Sequence, residues 1–147
     1  GTAPTDDELW KAAACRRGTW GAELYLSSNS TDLIITKNRY SAFLRTDLEK
    51  RLRALGVTTV IVTGLVMSQC VESTARDAYQ NDFDVVLLED CAAARSQEEH
   101  DATCNAIEQS FGWVLRSKAL TATWATRSAS VSADVRESAS QRHHSRA

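Results

Sequence analysis

Thr58-Thr59-Val60-Ile61-Val62-Thr63-Gly64-Leu65-Val66-Met67-Ser68-Gln69-Cys70-Val71-Glu72-Ser73-Thr74-Ala75-Arg76-Asp77-Ala78-Tyr79 decides how this chain is built. Residues 58–63 are all β-branched, which suits a buried strand, and Gly64 closes the run. Leu65–Gln69 reads as a short link, and the spacing predicts a helix from Cys70 to about Asn81. A thiol so placed stands beyond the carboxyl end of a strand and on the first turn of a helix. Free backbone N–H groups at that helix end favour negative charge. The thiolate is the nucleophilic form of cysteine, and the same N–H groups can hold the oxyanion of an attacked carbonyl. A lone cysteine is more often a small buried hydrophobe, so the chemical reading needs further support from the rest of the chain.

Working outward, strands alternate with helices. Asp32-Leu33-Ile34-Ile35-Thr36-Lys37 reads as a short strand buried on both faces. Thr46-Asp47-Leu48-Glu49 has the form of a capping box, Leu48, Leu52 and Leu55 recur on one helical face, and Gly56 stops the helix. Phe83–Asp90 is a third strand. Ser96-Gln97-Glu98-Glu99 caps a helix that carries Cys104, Ile107 and Phe111 inward and stops at Gly112. Trp113–Arg116 is a fourth strand. Such alternation predicts a parallel sheet covered on both faces, with the active site beyond the carboxyl ends of the strands, where Lys37 and Cys70 fall. Nearer the start, Thr5-Asp6-Asp7-Glu8 caps a polar helix, and the glycine-rich stretch Arg17–Glu23 is irregular.

The 147 residues are enough for one domain with a core. A formal net charge of -2 gives no general attraction to nucleic acid or to an anionic membrane. No apolar run approaches a membrane span, and no secretory signal is visible. The four cysteines, Cys15, Cys70, Cys91 and Cys104, form no C-x-x-C pair, which argues against a zinc ribbon or a thioredoxin motif and for a reducing, cytoplasmic setting. Composition divides the chain into a domain over 1–118 and a Ser-, Ala-, Thr- and Arg-rich tail over 119–147. That tail lacks apolar periodicity after Trp124 and reads as disordered, with an extra helix near Asp134–Glu137 as the alternative. His143-His144 in the tail is a weak metal-binding signal.

Three segments taken together are more specific than any one: Arg17-Gly18-Thr19-Trp20-Gly21-Ala22-Glu23; Lys37-Asn38-Arg39-Tyr40-Ser41-Ala42-Phe43 with Thr46-Asp47-Leu48; and Gly64–Ala78 around Cys70. In this order and spacing, over roughly residues 15–118, the chain resembles the isochorismatase-like cysteine hydrolases, in their amidohydrolase branch. The resemblance implies an α/β fold, a three-layer α/β/α arrangement (Rossmann-like) with a mostly parallel sheet of six strands. It also implies a Cys-Lys-Asp triad in which Cys70 is the nucleophile and Lys37 the lysine. The Leu65–Val66 peptide matches a cis position, the backbone N–H groups of Val66 and Cys70 match the oxyanion hole, and Tyr40 and Trp20 are the candidate substrate-binding side chains. The activity implied is cleavage of a C–N bond in a small amide or ureido compound, with no cofactor.

The chain departs from that pattern in two ways. The family's aspartate follows an N-terminal apolar strand, yet here the first residues read as a polar helix, and the first two strands of the family are missing from the pattern. Asp6, Asp7 and Asp32 are nearest in order, but none follows an apolar strand, and none is assigned. Met67 and Gln69 stand where other residues are common. A sheet without its central first strand exposes edges and apolar faces, which predicts self-association into a homo-oligomer. A catalytically silent member acting as a structural or binding subunit is the second reading. A nucleotide-binding domain is disfavoured because no G-x-G-x-x-G follows a strand, and a metal-dependent nicotinamidase-like site because no Asp/His cluster precedes Lys37.

Overall fold

Thr59–Leu65 forms β1 in the computed structural model, which describes residues 15–125. The expected helix over the first residues, with Asp6 and Asp7, and the His143-His144 pair lie outside the described residues. The chain forms two compact units, Gly1–Ile34 and Ile35–Ala147. Among the described residues of the first, 15–34, one 3₁₀ turn, Trp20–Ala22, interrupts otherwise irregular backbone. Cys15 and Gly18 both adopt positive φ there, at 56° and 76°.

The second unit carries the sheet. Helix α1 (Leu48–Ala54) precedes β1, and a wide π-helical turn at Met67–Val71 runs into α2 (Glu72–Gln80). Strand β2 (Asp84–Ala93), helix α3 (Gln97–Ser110) and strand β3 (Trp113–Leu115) follow. The three strands pair in parallel in the order β1-β2-β3. Each crossover therefore passes through a helix, as parallel neighbours require.

The register explains the burial. Val62, Leu87 and Val114 lie in one row across the sheet, as do Ile61, Val86 and Trp113. The first row joins a core with Met67, Val71, Ala75, Ala78, Phe83, Val85 and Ile107. Small residues on α2, Ala75 and Ala78, are fully buried and let the helix lie close to the strands. The second row is different: Ile61 is 37% and Trp113 56% exposed, and Leu65 at the end of β1 is 71% exposed. The expectation of a sheet covered on both faces thus holds along the middle of β2, where Val85–Leu88 are all buried, and fails for β1.

Local signals act as the sequence predicts at several points. Ser96 Oγ accepts the Glu99 backbone N–H at 3.2 Å, capping α3. Gly56 takes φ 69°, the left-handed conformation that ends a helix at little cost to glycine. Three expectations are corrected. Residues 32–37 form no strand: a strand exists through its hydrogen-bonded neighbour, and no described strand pairs with this segment. Leu55 does not join the core; it is 66% exposed just past the end of α1, where only Leu52 packs inward. Residues 119–125, expected in an unstructured tail, lie in a helical stretch over 117–125. The reason is tertiary. Asp90 accepts both the Ser117 backbone N–H and the Ser117 hydroxyl at 2.8 Å, which anchors the first turn from within β2. The rest of that tail, 126–147, lies outside the described residues.

Candidate active site

The carboxyl end of β1 positions the candidate nucleophile. Gly64 has φ 113°, a conformation open to glycine, and the following Leu65–Val66 peptide is cis. Val66 then opens the π-helical turn, its carbonyl accepting from Gln69 N at 3.0 Å and Val71 N at 3.3 Å. Met67 and Val71 point into the core at 0% and 3% exposure, which seats the turn. Cys70, between them, is half-buried. It therefore lies in the wide turn that feeds α2, just before the regular helix.

Lys37 reaches this sulfur from a loop. Its Nζ donates to Cys70 Sγ at 3.4 Å, to Arg39 O at 3.0 Å and to Tyr40 O at 3.0 Å. An ammonium has three N–H groups and no acceptor, so these three contacts use all of its donors and fix where it points. The Lys37 loop is itself tied down. Ser41 is buried and its Oγ accepts from Phe43 N at 3.1 Å, while Thr46 donates to Ala42 O at 2.6 Å. Phe43 packs on Phe83 with ring centroids 5.8 Å apart.

Around the turn, Ser68 Oγ donates to Glu99 Oε2 at 2.9 Å, and the Arg95 backbone N–H reaches the same oxygen at 3.4 Å. With its amide oxygen turned toward Arg95, Gln69 accepts from both guanidinium Nη atoms at 3.0 Å. Glu72 on α2 pairs with Arg76 at 2.7 Å and accepts the buried Thr103 hydroxyl at 2.8 Å. The Ser68–Glu99 and Thr103–Glu72 contacts do not follow from local sequence, since each spans 31 residues, whereas Glu72–Arg76 is a local i,i+4 pair.

The structure thus brings Cys70, Lys37, Val66 and Tyr40 to one end of the sheet through the turn and the Lys37 loop. Tyr40 is 56% exposed, its carbonyl holding Lys37 and its ring open to solvent. Trp20 belongs to the first unit, where it is 87% exposed. Asp32, one of the carboxylates nearest in chain order, accepts the Asn29 backbone N–H at 2.7 Å. Among the described residues, no carboxylate hydrogen bonds to Cys70 Sγ or pairs with Lys37.

Comparison with known proteins gives this geometry its context. The Isochorismatase domain matches residues 2–119. The chain belongs to the isochorismatase family. Ureidoacrylate amidohydrolase RutB of Methylobacterium radiotolerans is 40% identical over 101 residues, covering 67% of this chain and 39% of that protein. The same-named protein of Acinetobacter baylyi is 40% identical over 101 residues, covering 67% of this chain and 41% of it. The chain spans about two fifths of the length of these curated relatives. Among solved structures, an isochorismatase-like hydrolase from Alkaliphilus metalliredigens superposes with a TM-score of 0.70 at 34% identity, covering 73% of this chain and 60% of that one. Pyrazinamidase of Pyrococcus horikoshii, solved in complex with zinc, gives 0.66 at 30% identity, covering 71% and 62%. The family's α/β fold with parallel strands is thus shared. Among the described residues, no three or more His, Cys, Asp or Glu side chains gather as metal ligands would.

Proposed function

We propose that this isochorismatase-family chain carries the nucleophile and lysine of a cysteine hydrolase that cleaves a C–N bond in a small amide or ureido compound. The observation that carries the reading is the 3.4 Å contact from Lys37 Nζ to Cys70 Sγ at the mouth of the π-helical turn. The relatives named as ureidoacrylate amidohydrolases support the substrate class.

In this reading the Cys70 thiolate attacks the substrate carbonyl carbon, and a C–S bond forms as the carbonyl π electrons move to oxygen. The Val66 and Cys70 backbone N–H groups hold that oxyanion. Its collapse breaks the C–N bond, and the nitrogen departs with a proton. Water then cleaves the thioester, releasing acid and restoring the thiol. Lys37 supplies the counter-charge for the thiolate. Tyr40 is the side chain of the second unit proposed to meet substrate. Among the described residues no carboxylate hydrogen bonds to Cys70 Sγ or pairs with Lys37. Proton delivery to the leaving nitrogen calls for one, and such help contributes typically about 10²–10⁴ in rate. That need favours a second reading, a silent member acting as a binding subunit, unless the carboxylate is supplied. The proposal includes a cytoplasmic setting, where the four free thiols stay reduced, and self-association through the exposed Ile61–Trp113 row. No helix among the described residues is long and apolar enough to cross a membrane.

An activated ester separates the two readings, because a nitrophenolate leaves without a proton and needs no acid catalyst. Incubation with p-nitrophenyl acetate and peptide mapping should find the acetyl group on Cys70, with a nitrophenolate burst absent from Cys70→Ala. Acetylation spread evenly over the other thiols would defeat the assignment. Ammonia release from small ureido and amide compounds then reads full turnover.

A further inference from the structure

Thr74 lies on α2 one helical turn beyond Cys70, and its hydroxyl makes two contacts at once. Oγ1 donates to Cys70 O at 2.6 Å and accepts the Ala42 backbone N–H at 3.1 Å. The first is the familiar back-bond of a helical threonine to the carbonyl four residues earlier. The second is not local: it crosses 32 residues to the loop that holds the Lys37 ammonium. Two residues before Ala42, the Tyr40 carbonyl accepts from Lys37 Nζ, and the Ala42 carbonyl accepts from Thr46. A single hydroxyl thus joins the backbone of the nucleophile to the backbone of the loop that aims its lysine. A hydroxyl has one donor and two acceptor positions, so it can serve both sides together.

We propose that Thr74 is a positioning residue that sets the register of the Lys37 loop against Cys70, acting through Lys37 and touching neither substrate nor the reacting atoms. The inference rests on the reading of Cys70 and Lys37 as the working pair. Ser41 and Thr46 stiffen the loop, but their side-chain contacts stay within it and at Leu48, the first residue of α1. The Ala42–Thr74 bond ties the backbone of that loop to α2, directly after the turn that carries the sulfur. Valine in place of Thr74 keeps the shape and loses the hydroxyl, which frees the Ala42 N–H and lets the loop drift. Serine keeps the hydroxyl.

The test is the rate at which iodoacetamide alkylates the Cys70 peptide in the intact chain, compared for wild type, Thr74→Val, Thr74→Ser, Lys37→Met and the Val/Met double variant. Thr74→Val should slow Cys70 by about fivefold, the scale of one ion contact facing water. Thr74→Ser should restore the wild-type rate. In the Lys37→Met background, Thr74→Val should add nothing, because both changes remove the same contact. A Thr74→Val rate equal to wild type, or an equal slowing with and without Lys37, overturns the inference. A Lys37→Met rate equal to wild type overturns the Cys70–Lys37 pair itself, a failure distinguishable from the first. Should Thr74→Val fail to fold by circular dichroism, Thr74→Ala removes the same hydroxyl and carries the same expectation.

Discussion

Lys37 Nζ meets Cys70 Sγ at 3.4 Å although the two residues are 33 positions apart in the chain. The contact is a joint product of two irregular pieces of backbone, a loop and a π-helical turn. The turn is seated by its own Met67 and Val71, which join the core with residues of the regular elements.

The thiols should react in a fixed order. Cys70 has an ammonium against its sulfur, whereas Cys104 is half-buried on α3. Burial, then the carboxylates of Glu89, Asp101 and Glu108, push the Cys104 thiol up from its ordinary value of 9.0. Thiolate content governs alkylation. Limited iodoacetamide at neutral pH, followed by peptide mapping, should label Cys70 first and Cys104 last. Faster labelling of Cys15 or Cys91 would count against the site.

Gly112 should not tolerate a side chain. A Cβ there would collide with the Val85 carbonyl oxygen and lie 2.8 Å from the Val85 Cβ. Val85 is fully buried in the middle strand and cannot swing away. Gly112→Ala is expected to cost about 1–3 kcal/mol through overpacking, read as a lower urea midpoint at unchanged slope. A midpoint equal to wild type would show that β3 shifts freely.

Stability should carry a histidine signature. His100 Nε2 lies 3.1 Å from the Glu89 carbonyl and Nδ1 3.3 Å from Asp101. The Glu89 carbonyl, then the Asp101 carboxylate, raise the imidazole above 6.5 against the opposing effect of burial. A group raised in the folded state stabilises fully below its unfolded value and loses that contribution as pH rises through the folded one. The NMR midpoint of His100 should thus exceed 6.5, and stability should fall as pH rises through that midpoint. His100→Gln should flatten this dependence, and an unchanged slope would place its source elsewhere.

An acid-labile anchor is expected one residue further along β2, at Asp90. The Ser117 backbone N–H, then its hydroxyl, hold the Asp90 carboxyl below 3.8. Such a lowered group stabilises above its unfolded value and loses the contribution as pH falls through the folded one. Helical signals of residues 117–125 should weaken below about pH 4, and Asp90→Asn should weaken them at neutral pH. Persistence of those signals in the Asn variant would show that the capping contact is dispensable.

The legible parts of the molecule were those whose cause is local. Thr59–Leu65 and Asp84–Ala93 carry β-branched or apolar runs, and Ser96 is a cap readable three residues ahead of its partner Glu99. The Cys70–Lys37 pair was legible through the residue pattern around each member. What failed depends on partners distant in the chain. Leu33-Ile34-Ile35 has strand composition but no described ladder. Residues 119–125 have a loop-like composition, yet Asp90 anchors their helix from 27 positions away. Thr74 looked like one more helix residue, because nothing near it announces Ala42.

The spatial order β1-β2-β3 repeats the order of the chain. For assembly this means that none of the described strands has to be threaded between two already joined. Each helix and strand leaving the ribosome adds to the outer side of what precedes it, so the Cys70 turn can be seated once β2 has docked and before β3 is made. Among the described strands, the nucleophile's scaffold is therefore built before β3 is added.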